Sequence, residues 1–288
     1  MKLLIFLAVW KRPEITEICF MGLGRLRKKS RLPIECFAVI SEKSMIPLCN
    51  KYDIKYTFYK NDPLGEKKNH GLTEAMKLKW DYIIEIGSDD LVKDELLEKY
   101  ENYFGKYEMF GTKDSVIIDS VTGKCRRLTS DTPYGLGRCI SREVIEKHCY
   151  GVDAIAKEGI IGRGRTTAQG QKGFFLIEQA EELQTLGRVE IVGKPRYKLW
   201  KDEINKGMDN SSNYFLLTVG VGYKTVPTDR PLTIDIKGPD NIWPFSDKLG
   251  TAYDLDKALE GLSQEEQSRI FALFKNQRKE VVEYANNL

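Results

Sequence analysis

Four apolar runs of strand length alternate with helix-like segments over the first 90 or so residues, and this alternation narrows the possible folds further than any other feature of the chain. Leu3 to Val9 is an unbroken apolar run, which suits a strand buried on both faces. Pro13 then suits the first turn of a helix that ends in the basic block Arg25 to Arg31. Ile34 to Ile40 and Lys55 to Tyr59 are further strand candidates, separated by a short helix near Pro47 and followed by a polar loop and a helix to Lys79. The fourth run is Tyr82 to Ile86. Strands that alternate with helices in this way predict βαβ units and a mostly parallel sheet.

That fourth run ends unusually. The stretch Asp81 to Leu91, DYIIEIGSDDL, passes from apolar β-formers through Gly87 and Ser88 to the pair Asp89-Asp90. A small-residue turn there puts two carboxylates at the carboxyl end of a strand, the edge of an open α/β sheet where ligands bind. Carboxylates on a tight turn supply the hard oxygen ligands that Mg²⁺ or Mn²⁺ prefers. A second reading is that the pair caps a helix running from Leu91 to Phe104, since Asp before a helix is a common N-cap.

Composition excludes several classes. A chain of 288 residues with 41% hydrophobic and 30% charged residues is that of a soluble globular protein with a sizeable core. Its net charge of +3 neither demands nor excludes a polyanionic partner. Six scattered cysteines without a CxxC pair point to reduced, buried thiols and a cytoplasmic location. With two histidines and no Cys/His cluster, a structural zinc site is not expected. No stretch is apolar for the length a membrane span needs, and the run after Met1 leads straight into Lys11-Arg12 without a cleavage site.

The second half is more mixed. Ser115 to Asp119, a turn at Val121-Thr122-Gly123 and a return strand from Lys124 to Leu128 predict a hairpin, followed by a helix from Ile140 to His148 with Ser141 near its start. Lys157 to Lys172, with its glycines and Arg163 and Arg165, predicts a mobile basic loop, and Phe174 to Leu186 a helix. Lys201 to Ser212 is polar and turn-rich, Leu232 to Lys237 alternates as a half-buried strand, and Ser263 with Glu266 fits a capping box opening a terminal helix with Ile270, Phe271 and Phe274 on one face. The dinucleotide fingerprint, the Walker A loop and the GxSxG elbow are all missing.

Two places besides the acidic pair could meet a nucleotide. Ala8, Trp10 and Arg12 lie at the end of the first strand, where a base and a diphosphate would find backbone and a cation; equally, Trp10 could be core and Arg12 surface. Lys67, Lys68, Asn69 and Gly71, expected at the opening of the helix before the acidic strand, form a candidate anion site or an ordinary polar loop.

Taken together, Val9-Trp10-Lys11-Arg12-Pro13, Lys68-Asn69-His70-Gly71, Gly87-Ser88-Asp89-Asp90-Leu91, Gly135-Leu136-Gly137-Arg138, Gly207-Met208-Asp209 and Asp235-Ile236-Lys237 make the chain resemble the GT-A glycosyltransferases, in the family-2-like branch often encoded by bacteriophages. The likeness implies a GT-A-like (Rossmann-like) α/β fold whose mostly parallel central sheet is flanked by helices, with a mixed acceptor-side half and a carboxyl-terminal helix. It divides the chain into a nucleotide-sugar-binding half (1–108), an acceptor-binding and catalytic half (109–250) and a helical end (251–288). It implies transfer of a sugar from a nucleotide sugar, UDP-linked by preference, with Mn²⁺ or Mg²⁺ as cofactor. Carried over residue by residue, Asp89 is expected near the ribose and Asp90 on the metal, with Asp235 a further ligand or a group supporting the ligands and Arg138 on the donor phosphate or the acceptor. Donor contacts extend to Ala8, Trp10, Arg12, Lys68 and Asn69. Asp209 is the expected general base, because an inverting transfer needs a carboxylate to take the acceptor's proton. Gly87 and Ser88 stand where the family's D-x-D form would offer more carboxylate.

Some enzymes of this kind place sugars on hydroxymethylated pyrimidines in DNA, which makes DNA one implied acceptor. The residues that would serve it are Lys124, Arg126 and Arg127, Arg163 and Arg165, and the aromatics Tyr134, Phe174 and Phe175. Two other classes stay open: a nucleotidyltransferase on a related sheet, which would want a glycine-rich loop where Trp10 to Pro13 stand, and a non-catalytic nucleic-acid-binding protein.

Overall fold

The alternation seen in the sequence becomes a central parallel sheet. A computed structural model describes residues 1–162, 165–205, 208–239 and 245–286, without the side chains of 162, 165, 208–210 and 280–286. The first units are β1 (Leu3–Val9), α1 (Pro13–Lys29), β2 (Ile34–Ile40), α2 (Ile46–Lys51), β3 (Lys55–Phe58), α3 (Leu64–Ala75) and β4 (Tyr82–Gly87). They are followed by β5 (Asp90–Val92), α4 (Glu95–Tyr100), β6 (Met109–Thr112), β7 (Asp114–Asp119), β8 (Cys125–Thr129), β9 (Cys139–Ser141) and α5 (Arg142–Cys149). Next come β10 (Tyr150–Ala156), β11 (Ile160–Gly162), β12 (Arg165–Thr167), β13 (Lys172–Leu176), α6 (Ile177–Thr185), β14 (Val189–Ile191) and β15 (Arg196–Tyr197). The last are α7 (Met208–Thr218), β16 (Lys224–Val226), β17 (Thr233–Lys237), β18 (Thr251–Tyr253), α8 (Leu255–Leu259) and α9 (Gln264–Asn286).

The main sheet has the order β16-β6-β9-β4-β1-β2-β3, and β9 alone runs against the rest. The chain is thus an α/β protein with a mostly parallel central sheet and flanking helices. β1 shows why such a strand must be apolar throughout. Leu3, Ile5, Leu7 and Val9 join the core under α1 and α9, while Leu4 and Phe6 join the core under α3, α5 and α7. With β2 on one side of β1 and β4 on the other, the strand order switches direction between β1 and β4, and a crevice opens at their carboxyl ends.

A second sheet, β18-β8-β7-β17-β5, is fused to the first because β4 runs into β5 through only Ser88 and Asp89, and β6 into β7 through only Lys113. A third, smaller sheet is built on β10 and encloses its own apolar cluster with α6.

Several expectations change. Leu91 to Phe104 is not one helix: Leu91 and Val92 are fully buried in β5, paired with β17, and α4 starts only at Glu95 with Asp94 as its N-cap. The helical periodicity there is overridden by cross-strand burial. Asp89 and Asp90 therefore cap no helix. The Lys157–Lys172 loop contains the hairpin β11–β12, with Arg163 outside the described residues. Phe174 and Phe175 belong to β13, and the helix begins at Ile177. Leu232 to Lys237 is an interior strand of the second sheet, buried along most of its length rather than half-buried. In α9 the buried face is Ile270, Leu273 and Phe274, and Phe271 is exposed.

The terminal capping box is formed: Ser263 N–H donates to Glu266 Oε2 at 2.8 Å and Glu266 N–H to Ser263 Oγ at 3.2 Å. The same carboxylate, 1% exposed, accepts Arg25 Nε at 2.8 Å, and so joins α9 to α1. Glu266→Ala leaves Arg25 with less compensation and an open helix end. It is expected to cost about 3 kcal/mol, read as a lower urea midpoint at unchanged slope.

Candidate metal and nucleotide site

Glycine at the turn after β4 leaves room for the Asp90 carboxylate. A Cβ on Gly87 would lie 2.6 Å from Asp90 Oδ2, and the Gly87 N–H donates to that same oxygen. The turn delivers Asp90 to the first position of β5, where the antiparallel register sets it opposite Asp235 on β17. Ile236 N–H also donates to the Asp89 carbonyl at 3.0 Å. One local turn and one long-range pairing thus gather Asp89, Asp90 and Asp235, whose ligand oxygens all lie within 4.8 Å of one another.

The charges around this cluster are unevenly matched. Arg12 Nη1 donates to Asp89 Oδ2 at 2.8 Å and Lys237 Nζ to Asp235 Oδ2 at 2.5 Å. Asp235 Oδ1 is buried with no hydrogen-bond partner among the described residues. Burial, with Asp235 and Asp89 close by, pushes the Asp90 carboxyl well above the usual carboxylate range. Burial likewise raises Asp235 to about 6, with Lys237 opposing and Asp89 adding to the shift. Burial works against a charged Lys237, but Asp235 and the other two carboxylates outweigh it and hold the ammonium above the ordinary lysine value. Three oxygen donors, one of them an unpaired buried oxygen, in a place that penalises their negative charge, fit a hard divalent cation such as Mg²⁺ or Mn²⁺.

The cluster opens into a cleft of about 630 Å³, a volume that accommodates a nucleotide-sized ligand. Of the residues expected on the donor, Ala8, Trp10, Arg12, Lys68 and Asp89 line it, as do Asp90 and Asp235. Arg12 gets there through an uncommon backbone: Lys11 and Arg12 have φ of 53° and 55°, in the left-handed region, before α1 begins.

Asn69 lies elsewhere. Because α3 starts at Leu64, Lys67 to Gly71 fall inside the helix rather than at its amino end. Asn69 is fully buried, accepting from Leu199 and Trp200 N–H and donating to the Trp200 carbonyl and Asp202. Arg138 is also fully buried, behind the cleft wall, with Nη2 on Glu85 at 2.5 Å and Nη1 on Asn213 Oδ1 at 2.7 Å. Asp209 falls in the first turn of α7 instead of a loop, and its side chain lies outside the described residues.

Sequence reasoning assigned no role to Glu85, Lys237, Asn61 or Asn213, which all line the cleft. Glu85 binds Lys68 through Oε1 and Arg138 through Oε2, so it is the hub beneath the floor. One signal for it was available, since a carboxylate inside an otherwise apolar strand needs buried cations. Asn213 had no such signal. The hairpin cations that suggested a DNA backbone are held by protein: Lys124 by Asp247, Arg126 by the carbonyls of Leu249 and Gly250, and Arg127 by Asp114. Phe174 and Phe175 are buried, and Tyr134 lines the cleft. Among the described residues no helix is long and apolar enough to cross a membrane.

No protein-family model and no curated protein matches the chain. Solved structures do. One is the mannosyltransferase from Pyrobaculum calidifontis in complex with GDP-Man and Mn²⁺, 9% identical, with a TM-score of 0.44 over 82% of this chain and 56% of that one. Another is the catalytic domain of Drosophila β1,4-galactosyltransferase 7, 12% identical, with a TM-score of 0.39 over 80% and 66%. A third is CMP:2-keto-3-deoxy-manno-octonic acid synthetase complexed with CTP, 11% identical, with a TM-score of 0.33 over 83% and 90%. The chain spans a little over half the length of the mannosyltransferase it matches. Likenesses this distant do not bear on activity, which has to be read from the cleft itself.

The raised Asp235 carboxyl has a consequence for the metal-free protein. The folded state keeps a proton between pH 3.8 and about 6 that the unfolded chain has already released. Stability is therefore fully present below that window and falls as pH rises through it. Urea melts in chelator are expected to show a loss on the order of 2 kcal/mol or more as pH rises from 4 to 7, with Asp235 and Asp90 contributing in the same direction. Asp235→Asn should make that loss shallower, and millimolar Mn²⁺ should reverse it.

Proposed function

We propose that the chain is a GT-A-type glycosyltransferase that moves a sugar from a nucleotide sugar to an acceptor hydroxyl. The observation that carries this reading is the gathering of Asp89, Asp90 and Asp235 at the carboxyl end of β4, inside a cleft that also holds Trp10, Arg12 and Lys68. In this reading the nucleoside lies along the end of β1, against Ala8 and Trp10. Asp89, fixed by Arg12, faces the ribose, and Asp90 and Asp235 hold the divalent ion. That ion would supply charge neutralisation for a diphosphate leaving group.

The remaining work falls to the protein's own side chains. Lys68 and Glu85 form the floor under the donor, and Glu85 keeps the Lys68 ammonium in place. Asp209 is the proposed base, taking the acceptor hydroxyl's proton as the hydroxyl attacks the sugar. Its helix is secured beside the floor by Asn213, which accepts from Arg138 and donates to the Pro133 carbonyl at 3.2 Å. The donor nucleotide is proposed to be uridine-based. The reading extends to a hydroxymethylated pyrimidine in DNA as acceptor, for which Lys124, paired with Asp247 only at the exposed surface, stays open to a phosphate.

Calorimetric titration with UDP, GDP and their sugars, with and without Mn²⁺, tests the reading on wild type and Asp90→Ala. One nucleotide is expected to bind in a metal-dependent way and to weaken on the order of 100-fold in the mutant. Failure of every nucleotide under every metal condition would sink the reading. Binding of CTP or UTP with pyrophosphate release on turnover would replace it with nucleotidyl transfer.

A further inference from the structure

Lys67 has an environment that lysine rarely occupies. It is 0% exposed, and among the described residues its ammonium meets no carboxylate. Instead Nζ donates to the Val9 carbonyl at 2.5 Å and to Asn61 Oδ1 at 3.0 Å. Burial, unrelieved by an ion pair, pulls its pKa down to about 7, with Glu42 and Arg12 acting only at longer range. A buried amine costs stability that an apolar side chain of the same length would not. Its two hydrogen bonds, set against that cost, give it a structural role.

The contacts indicate what that role is. Val9 ends β1, and the chain then passes through Trp10 into Lys11 and Arg12, both in the left-handed region. Two successive residues with side chains in that region are disfavoured by contact between Cβ and backbone. They persist only where the surroundings fix them. Downstream, Thr16 N–H donates to the Arg12 carbonyl at 3.1 Å and begins α1. Lys11 N–H reaches Glu42 only at 3.3 Å. Upstream, Val9 is paired with Ile40 of β2, and Lys67 adds a tie from the Val9 carbonyl to Asn61 in the lining of the cleft.

We infer that Lys67 is a positioning residue: by holding the Val9 carbonyl and the Asn61 amide from within α3, it maintains the left-handed Lys11–Arg12 turn that sets Trp10 in the cleft and Arg12 on Asp89. Its effect on ligand binding rests on the nucleotide-sugar reading of the cleft; its effect on the turn does not.

The test is hydrogen exchange of the peptide covering residues 9 to 16 in Lys67→Met, with urea unfolding and Mn²⁺-dependent UDP affinity measured alongside. Met keeps the length and removes the donor. Exchange in that peptide is expected to accelerate on the order of tenfold, while the urea midpoint holds or rises. UDP affinity should fall by a similar factor, and Lys67→Met should add nothing further in an Arg12→Ala background, because both act through one turn. Unchanged exchange in the peptide would overturn the proposal, as would acceleration spread across the whole chain with a lower midpoint. Should Lys67→Met fail to fold, Asn61→Ala removes the other end of the tie and is judged by the same exchange signature. If wild type binds neither UDP nor GDP under any metal condition, the donor-site reading falls and the exchange result alone decides the role of Lys67.

Discussion

The pairing of Asp90–Val92 with Thr233–Lys237 is the contact on which the rest of this structure depends. It lies at one of two seams between the sheets, because β5 follows β4 with only two residues between them, as β7 follows β6 with only Lys113 between. It also creates the carboxylate cluster, since Asp235 meets Asp90 only in this register. Bringing like charges together in a buried place is unfavourable. Leu91, Val92, Ile234 and Ile236 are buried by the same pairing, at roughly 1.5–3 kcal/mol each, which offsets the repulsion. The apolar residues of the two strands thus hold their acidic neighbours in a position those neighbours would not choose.

A second layer of polar contacts keeps the cleft in shape. Each functional side chain is held by a partner: Arg12 on Asp89, Lys237 on Asp235, and Glu85 between Lys68 and Arg138. Lys68 also lies 4.3 Å from the Trp200 ring centroid, and Trp200 stacks on Phe6 of β1. A cleft braced in this way presents charge without having to reorganise when a ligand arrives. Arg138 and Asn213 extend the bracing to α7, so the two halves of the chain share one polar framework.

The same framework explains which residues were legible in advance. Trp10, Arg12, Asp89 and Asp90 stand at strand ends, where βα topology alone predicts a ligand edge, and they do line the cleft. Asn69 was placed wrongly with respect to the helix start, because α3 opens at Leu64 and turns Asn69 toward Leu199 and Trp200. The basic hairpin looked available in sequence, yet Arg126 and Arg127 are bound by chain segments 114 and 249–250, which no local pattern connects to them. Glu85 was visible as a charge in an apolar strand, but its partners come from α3 and from the loop before β9.

By itself, the sequence determined the elements whose signals are local. These are the fully apolar strands, Pro13 opening α1, the hairpin turn at Gly123, the capping box of α9 and the close turn after β4. Each depends on side chains within a few positions of one another, so periodicity and turn chemistry suffice to find them. The tertiary structure decided what depends on distant partners: the conversion of Leu91-Val92 from helix to strand, the union of Asp90 with Asp235, and the pairing of Glu85 with two buried cations. A buried charge takes its properties from whatever the fold places within a few ångströms of it, and that neighbourhood is not written at any single stretch of the chain.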